Sequence, residues 1–206
     1  MYTILIAAGW PVWPLLLTSI LALAILIERT WFLQTKRITP PQLLEGAIQL
    51  ASSGALKQSK TAQDATKALA DAAPLGQILA AALLEKSQGG SEEKIIAAMQ
   101  DAAESVTILL ERYLGALATI ATIAPLLGLF GTVVGMIEIF GSQQGVGANP
   151  QQLANGISIA LYNTAFGLLI AIPAYAGWRG LKAMAEKRQR ECDVAAKKLL
   201  AHLNSI

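Results

Sequence analysis

The titratable residues of this 206-residue chain are placed where they can do little chemistry with one another. Its one cysteine, Cys192, and its one histidine, His202, lie in a charged C-terminal stretch. An internal disulfide needs a second thiol, and a zinc or haem site needs several His and Cys ligands, so no metal and no cofactor is expected. Nucleophile, base and orienting group cannot be placed together, and an enzyme is not expected either. What remains is a set of neutral polar groups: Thr119, Thr122 and Thr132 in one apolar stretch, with Ser158, Asn163 and Thr164 in another. Such groups can line a path or hydrogen-bond another helix without carrying charge. The alternative is that each hydroxyl bonds back to a carbonyl of its own helix.

The stretches that hold them are free of charge over long runs. The chain is 54% hydrophobic and only 15% charged, far from the usual soluble balance. Three runs concentrate the excess: Ile4 to Ile27, Tyr113 to Ile137, and Ile139 to Trp178. A membrane helix needs roughly 20 such residues. The third run is too long for one span, but Gly141 to Gln152 is rich in Gly and Gln and contains Asn149 and Pro150, which reads as a loop before a helix starting near Leu153. The expected fold is therefore an all-α membrane protein with three transmembrane helices. Buried helices of a soluble protein fit less well, because a chain this size could not cover three such runs. A signal peptide also fits poorly: no Lys or Arg precedes the first run, and Glu28, Arg29 and Trp31 follow it where small residues would mark cleavage. The net charge of +2, with no basic helix interleaved with aromatic residues, gives no reason to expect nucleic acid.

Lys and Arg orient the spans, since short loops rich in them stay in the cytoplasm. Residues 1–27 and the 139–152 loop contain neither. Arg29, Lys36 and Arg37 follow the first span, Arg112 precedes the second, and Arg179, Lys182, Lys187, Arg188 and Arg190 follow the third. The expected layout is a periplasmic N-terminus and first span at 1–32, a cytoplasmic helical region at 33–112, and a second span at 113–138. A periplasmic loop at 139–152, a third span at 153–178 and a cytoplasmic C-terminal helix at 179–206 complete it.

Within the cytoplasmic region Thr39, followed by Pro40 and Pro41, is a plausible helix start, and Ser52, Ser53 and Gly54 an end. Further helices are expected over 55–73 and 75–87, separated by Pro74. Ser91 with Glu92 and Glu93 opens another, which meets no breaker before Pro125 and is expected to run unbroken into the second span. Leu181, Ala185, Leu199 and Leu203 among the charges of the tail indicate an extension of the third helix that packs on the cytoplasmic helices.

Lipid tails give helices no hydrophobic reason to associate, so close contacts need small residues. Ala118, Ala121, Ala124, Gly128, Gly131 and Gly135 recur at spacings of three and four in the second span, as do Gly156, Ala160, Asn163, Gly167, Ala171 and Ala174 in the third. Each set makes one helical stripe suited to tight packing. Pro125 and Pro173 each remove a backbone hydrogen bond and permit a kink. Counting ~1.5 Å per residue, Thr132 stands roughly 30 Å along its helix from Arg112, and Thr164 roughly 22 Å along its own from Arg179, so both fall in the outer half. No Asp, Glu, His, Lys or Arg lies in the centre of any span. A proton relay normally requires one, so any proton crossing here needs a titrating group from another chain. Glu138, about 39 Å along its helix from Arg112, belongs at the outer interface, either solvated or at the entrance of an ion path.

The segments APLLGLFGTVVGM, Ala124 to Met136, and NGISIALYNTAFGLLIAIPA, Asn155 to Ala174, resemble the signature segments of the MotA/TolQ/ExbB proton-channel family, and the ExbB type most. The resemblance is specific from about Ala118 to Trp178 and covers the rest as a layout. It implies a homo-oligomeric ring in the bacterial inner membrane, a pentamer in the family's best-understood members, with long cytoplasmic helical extensions. The ring would surround a dimeric, single-span, ExbD-like partner whose membrane aspartate supplies the missing ionisable group. A TonB-like protein would carry the work to outer-membrane transport. On the same basis Thr132 in GTVVG and Thr164 in YNTAFG match the threonines that line the inner face near that aspartate. Ile159 departs from the pattern, since many relatives have Glu there and an apolar chain cannot titrate.

A TolQ-like role in envelope maintenance and a membrane-anchored scaffold without ion conduction are the competing readings. A solute transporter fits less well, because the chain has no inverted repeat. If position 159 faces a ring interior, Ile159→Glu should be tolerated, with expression and detergent-extracted yield near those of the parent; a poorly folded product would place it against lipid.

Overall fold

The computed structural model describes residues 10–53, 59–142 and 150–205. All regular structure in them is helical: α1 (Val12–Phe32), α2 (Thr35–Ile38), α3 (Pro41–Ser52), α4 (Ser59–Ala72), α5 (Pro74–Ser87), α6 (Glu92–Glu111), α7 (Leu114–Ser142) and α8 (Pro150–Leu203). Three stretches are long and apolar enough to cross a membrane: Val12–Phe32, Glu92–Glu138 and Gly156–Leu203. The expected loop at 139–152 falls partly on 143–149, outside the described residues, and the flanking helices extend to Ser142 and back to Pro150. Internal packing divides the chain into two units, 1–28 with 113–180 and 29–112 with 181–206.

The first unit has only Glu28, Glu138 and Arg179 as charged residues. Its interior is small or branched: Leu15 and Ala22 of α1, Leu117, Ala121 and Ala124 of α7, and Ala160, Ala171 and Ala174 of α8 are buried. Its outside carries the large apolar side chains, among them Ile27, Leu126, Ile137, Leu169 and Ile172. A surface of that kind is far too apolar for water and suits lipid or neighbouring protein.

The second unit holds the other charges and has an ordinary hydrophobic core. Ile95, Met99, Val106 and Leu110 give α6 one buried face, and α5 contributes Leu75, Ile78, Leu79 and Leu83. The C-terminal part of α8 buries Leu181, Ala185, Cys192, Ala195, Leu199 and Leu203, spaced three, four or seven apart as one helical stripe requires. α5 packs between α4 and α6. A Cβ on Gly76 would come within 1.9 Å of the Leu69 carbonyl oxygen, so this approach of α4 to α5 admits only glycine there. Pro74 occupies the first turn of α5, where its missing N–H costs nothing. Gly89, at φ 72°, supplies the left-handed residue that turns the chain after α5.

Polar contacts pin the segments of this unit. Arg188 pairs with Glu191 and donates from Nε to the Leu33 carbonyl at 3.2 Å. Lys86 Nζ donates to the Leu203 carbonyl at 2.8 Å, satisfying an acceptor at the end of α8. The expected cap at Thr39 is not formed. Pro40 occupies that position, and the Thr39 hydroxyl donates instead to Glu191 Oε2 at 3.1 Å. Ser91 has the extended backbone of an N-cap but makes no side-chain capping bond.

The single helix expected from Glu92 into the second span is broken. α6 ends at Glu111, α7 begins at Leu114, and Tyr113 between them has φ 65°. A left-handed conformation costs an L-residue about 1–2 kcal/mol, so neighbouring contacts must hold it. Four residues before Tyr113, the Leu109 carbonyl accepts from Nη1 of Arg29, which is 2% exposed, at 3.0 Å. In an unbroken helix that carbonyl would accept from the N–H of Tyr113. No glycine or proline stands from Glu111 to Leu114, and the carbonyl released at the break is taken up by a side chain 80 residues away.

Cys192 is 1% exposed, and burial pushes its thiol from 9.0 up to about 12, with Asp193 and Glu191 adding to the shift and Arg188 opposing it. Since the folded pKa is raised, the associated stability is present below the unfolded value and is lost as pH rises through the folded one. The thiolate is the nucleophile, so iodoacetamide at neutral pH should modify the folded protein roughly a thousandfold more slowly than the denatured chain. Mass spectrometry of timed samples measures this, and equal rates would contradict the burial.

Candidate functional site

The candidate site is built on α7 and α8, whose small residues bring two backbones together. A Cβ on Gly128 would lie 2.7 Å from the Asn163 carbonyl oxygen, 3.0 Å from Thr164 Cα and 3.2 Å from Gly167 Cα. A Cβ on Gly167 would lie 2.6 Å from the Ala124 carbonyl oxygen. These neighbours are backbone atoms and cannot rotate aside. Gly131 leaves room for a side chain instead: a Cβ there would come within 2.9 Å of Asn163 Cβ and Cγ. Asn163 is buried at 1% exposure in this notch. Gly135 is looser, since its Cβ would meet that of Ala160 at an ordinary 3.6 Å. Gly156 is buried further along α8.

The threonines stand beside this seam. Thr164 is half-buried, and its Cα is part of the closest approach to Gly128. Thr132 is half-buried on α7, and its hydroxyl donates to the Leu129 carbonyl at 2.6 Å. Its proton is therefore held by the helix, and its oxygen can accept from outside. Thr119, Thr122 and Ser158 also donate to carbonyls of their own helices, at 3.0, 2.9 and 3.0 Å. Pro125 and Pro173 lie inside α7 and α8. Glu138 is exposed near the end of α7. Ile159 lies on α8, but its side chain is outside the described residues.

Beside Thr132, α7 carries an open trough of about 600 Å³, lined by Thr132, Val133, Met136, Ile137, Phe140 and Gly141. The apolar members were not picked out from the sequence. Their signal was available as pairs recurring every four residues, which one helix places on a single face. The trough is apolar with one hydroxyl at its edge, suited to another apolar helix presenting a polar group near Thr132. With no charged residue besides Glu28, Glu138 and Arg179 in this unit, its own groups can accept and donate hydrogen bonds but cannot change charge between the ends of the spans.

The sequence profile of the MotA/TolQ/ExbB proton channel family matches residues 70–193, which include all of α7 and the part of α8 that forms the seam. An ExbB-like biopolymer transport protein of Synechocystis sp. is 36% identical over 180 residues, covering 85% of this chain and 68% of that protein. The biopolymer transport protein exbB1 of Vibrio cholerae is 32% identical over 189 residues, covering 87% of this chain and 78% of its own. The Tol-Pal system protein TolQ of Haemophilus influenzae is 44% identical over 73 residues, 35% of this chain and 32% of its own.

The seam gives a paired test. Gly128→Ala should destabilise the protein by about 1–3 kcal/mol, since the added methyl forces two backbones apart. Gly135→Ala should be close to neutral. Thermal unfolding of each variant in detergent checks this, and equal midpoints would show that the helices do not meet at Gly128.

Proposed function

The chain belongs to the MotA/TolQ/ExbB proton channel family, and from that premise we propose that it is the neutral ring subunit of an inner-membrane motor driven by proton-motive force. The observation that carries this reading is the neutrality of the α7–α8 seam inside a proton-channel family. A proton crossing a membrane needs a group that can take and release it, and the spans offer none away from their ends. The carboxylate therefore comes from a partner, an ExbD-like single-span protein with a membrane aspartate. Its helix lies against the inner faces of several copies of this chain, with Thr132 and Thr164 beside the aspartate. The Thr164 hydroxyl donates to the carboxylate in its charged form, and the Thr132 oxygen, whose own proton goes to the Leu129 carbonyl, accepts from the carboxylic acid once it is protonated, so the pair guides the proton without titrating. Glu138 stands near the outer entrance of the path. The N-terminus faces the periplasm, the C-terminus faces the cytoplasm, and copies of the chain assemble into a pentameric ring. A TonB-like protein receives the work and delivers it to outer-membrane transport; the relatives' names speak for a role in biopolymer transport. A Tol-type role is the second reading, favoured by the 73-residue stretch that is 44% identical to TolQ.

Proteoliposomes test the division of labour. The chain alone should leak protons no faster than empty vesicles, and flux should appear on adding the aspartate-bearing partner. Thr164→Val removes a hydroxyl with little change of volume, so it should lower that flux by about tenfold or more, the worth of one hydrogen bond to a charged group, while copurification with the partner persists. Proton conduction by the chain alone, or undiminished flux in the variant, would refute the proposal.

A further inference from the structure

We propose that Trp31, Lys36 and Arg37 form a binding site for the phosphate of an acidic membrane phospholipid. α1 carries no charged residue from Val12 to Ile27, and Trp31 stands in its last turn with 62% of its surface exposed. The chain then passes through Gln34 into α2, a single helical turn on which Lys36 and Arg37 are exposed. The Arg37 guanidinium carbon lies 5.0 Å from the centroid of the Trp31 ring, within cation–π range. Indole and guanidinium thus make one patch, with Lys36 next to Arg37 in sequence.

The patch rests on a fixed base. Leu33 and Ile38, on either side of the turn, are both 0% exposed. The Leu33 carbonyl accepts from Arg188 Nε, and the adjoining Thr39 hydroxyl donates to Glu191. The outward side chains are therefore presented by an anchored turn. Neighbouring cations are used internally: Arg29 serves the Leu109 carbonyl, and Arg188 serves Leu33 and Glu191. Among the described residues, neither Lys36 nor Arg37 pairs with a carboxylate.

The chemistry of the patch selects its occupant. An exposed indole at the end of an apolar helix prefers the headgroup level of a bilayer, where its ring meets hydrocarbon and its N–H meets water. Two cations at that level attract a phosphodiester, each strengthening the attraction to an anionic surface roughly fivefold. A free phosphate would satisfy the charges but has nothing to gain from the indole. The site rests on α1 as a membrane span and is independent of whether the protein conducts protons.

The test is native mass spectrometry of the full chain in neutral detergent, titrated with phosphatidylglycerol or phosphatidylcholine. The parent protein should bind phosphatidylglycerol about tenfold more tightly or better. Lys36→Gln with Arg37→Gln should bind the two lipids equally. Lys197→Gln with Lys198→Gln, a charge-matched change at exposed positions on α8, should keep the parent's preference. Should the Lys36/Arg37 double variant not fold, Lys36→Gln alone should lose about fivefold of the preference. A preference unchanged in the Lys36 or Lys36/Arg37 variants, or lost equally in the α8 control, would overturn the site, as would complete displacement of phosphatidylglycerol by inorganic phosphate. Equal binding of both lipids by the parent overturns the site alone, whereas binding of neither overturns the span as well.

Discussion

Gly128 and Gly167 set the separation of α7 and α8, because nothing between them can compress further. In water, helices are pressed together by the release of solvent from apolar surface, and contacts of many shapes are tolerated. Between lipid tails that pressure is absent, and association depends on how many atoms can come within van der Waals range. Two glycines at the crossing let backbone touch backbone. Asn163 fits its notch because Gly131 is opposite, and Thr164 stands at the crossing because its own Cα is part of the contact.

This constraint governs where the larger residues go. With the seam taken by small ones, bulky side chains occupy the remaining faces of α7 and α8, and the trough beside Thr132 opens on one of those faces. The second unit inverts the arrangement, with leucine and isoleucine inside and most of its charges outside, Arg29 and Arg188 excepted. α8 contributes to both, with small residues buried in its first part and larger ones such as Leu181, Leu199 and Leu203 towards its end. The change in residue size along one stripe follows the change in what drives packing, from dispersion contact in lipid to exclusion of water beyond it.

Features governed by periodicity were legible in advance. The three apolar runs, the small-residue stripes and the tail that continues α8 all follow from composition read at helical spacing, and Gly128, Gly131, Asn163 and Gly167 could be named from it. Features governed by contacts between distant residues were not. Thr39 looks like a cap when only its neighbours are considered, yet Glu191 takes its hydroxyl. The break at Tyr113 falls on a residue that does not favour a positive φ, and Arg29 reads as an orienting charge before it is seen to serve a helix carbonyl. The trough is hard to read for a different reason: Met136, Ile137 and Phe140 look like any lipid-facing residues until their shared face with Thr132 is considered.

Cys192 is the one native thiol, and it is enclosed by the second unit. Reporter groups that attach through sulfur can therefore be directed to cysteines introduced elsewhere while the native residue stays in place, sparing a replacement that would disturb the packing around it. Spin labels or fluorophores placed along α7 or α8 in this background would report on the surroundings of each helix in an otherwise unaltered chain.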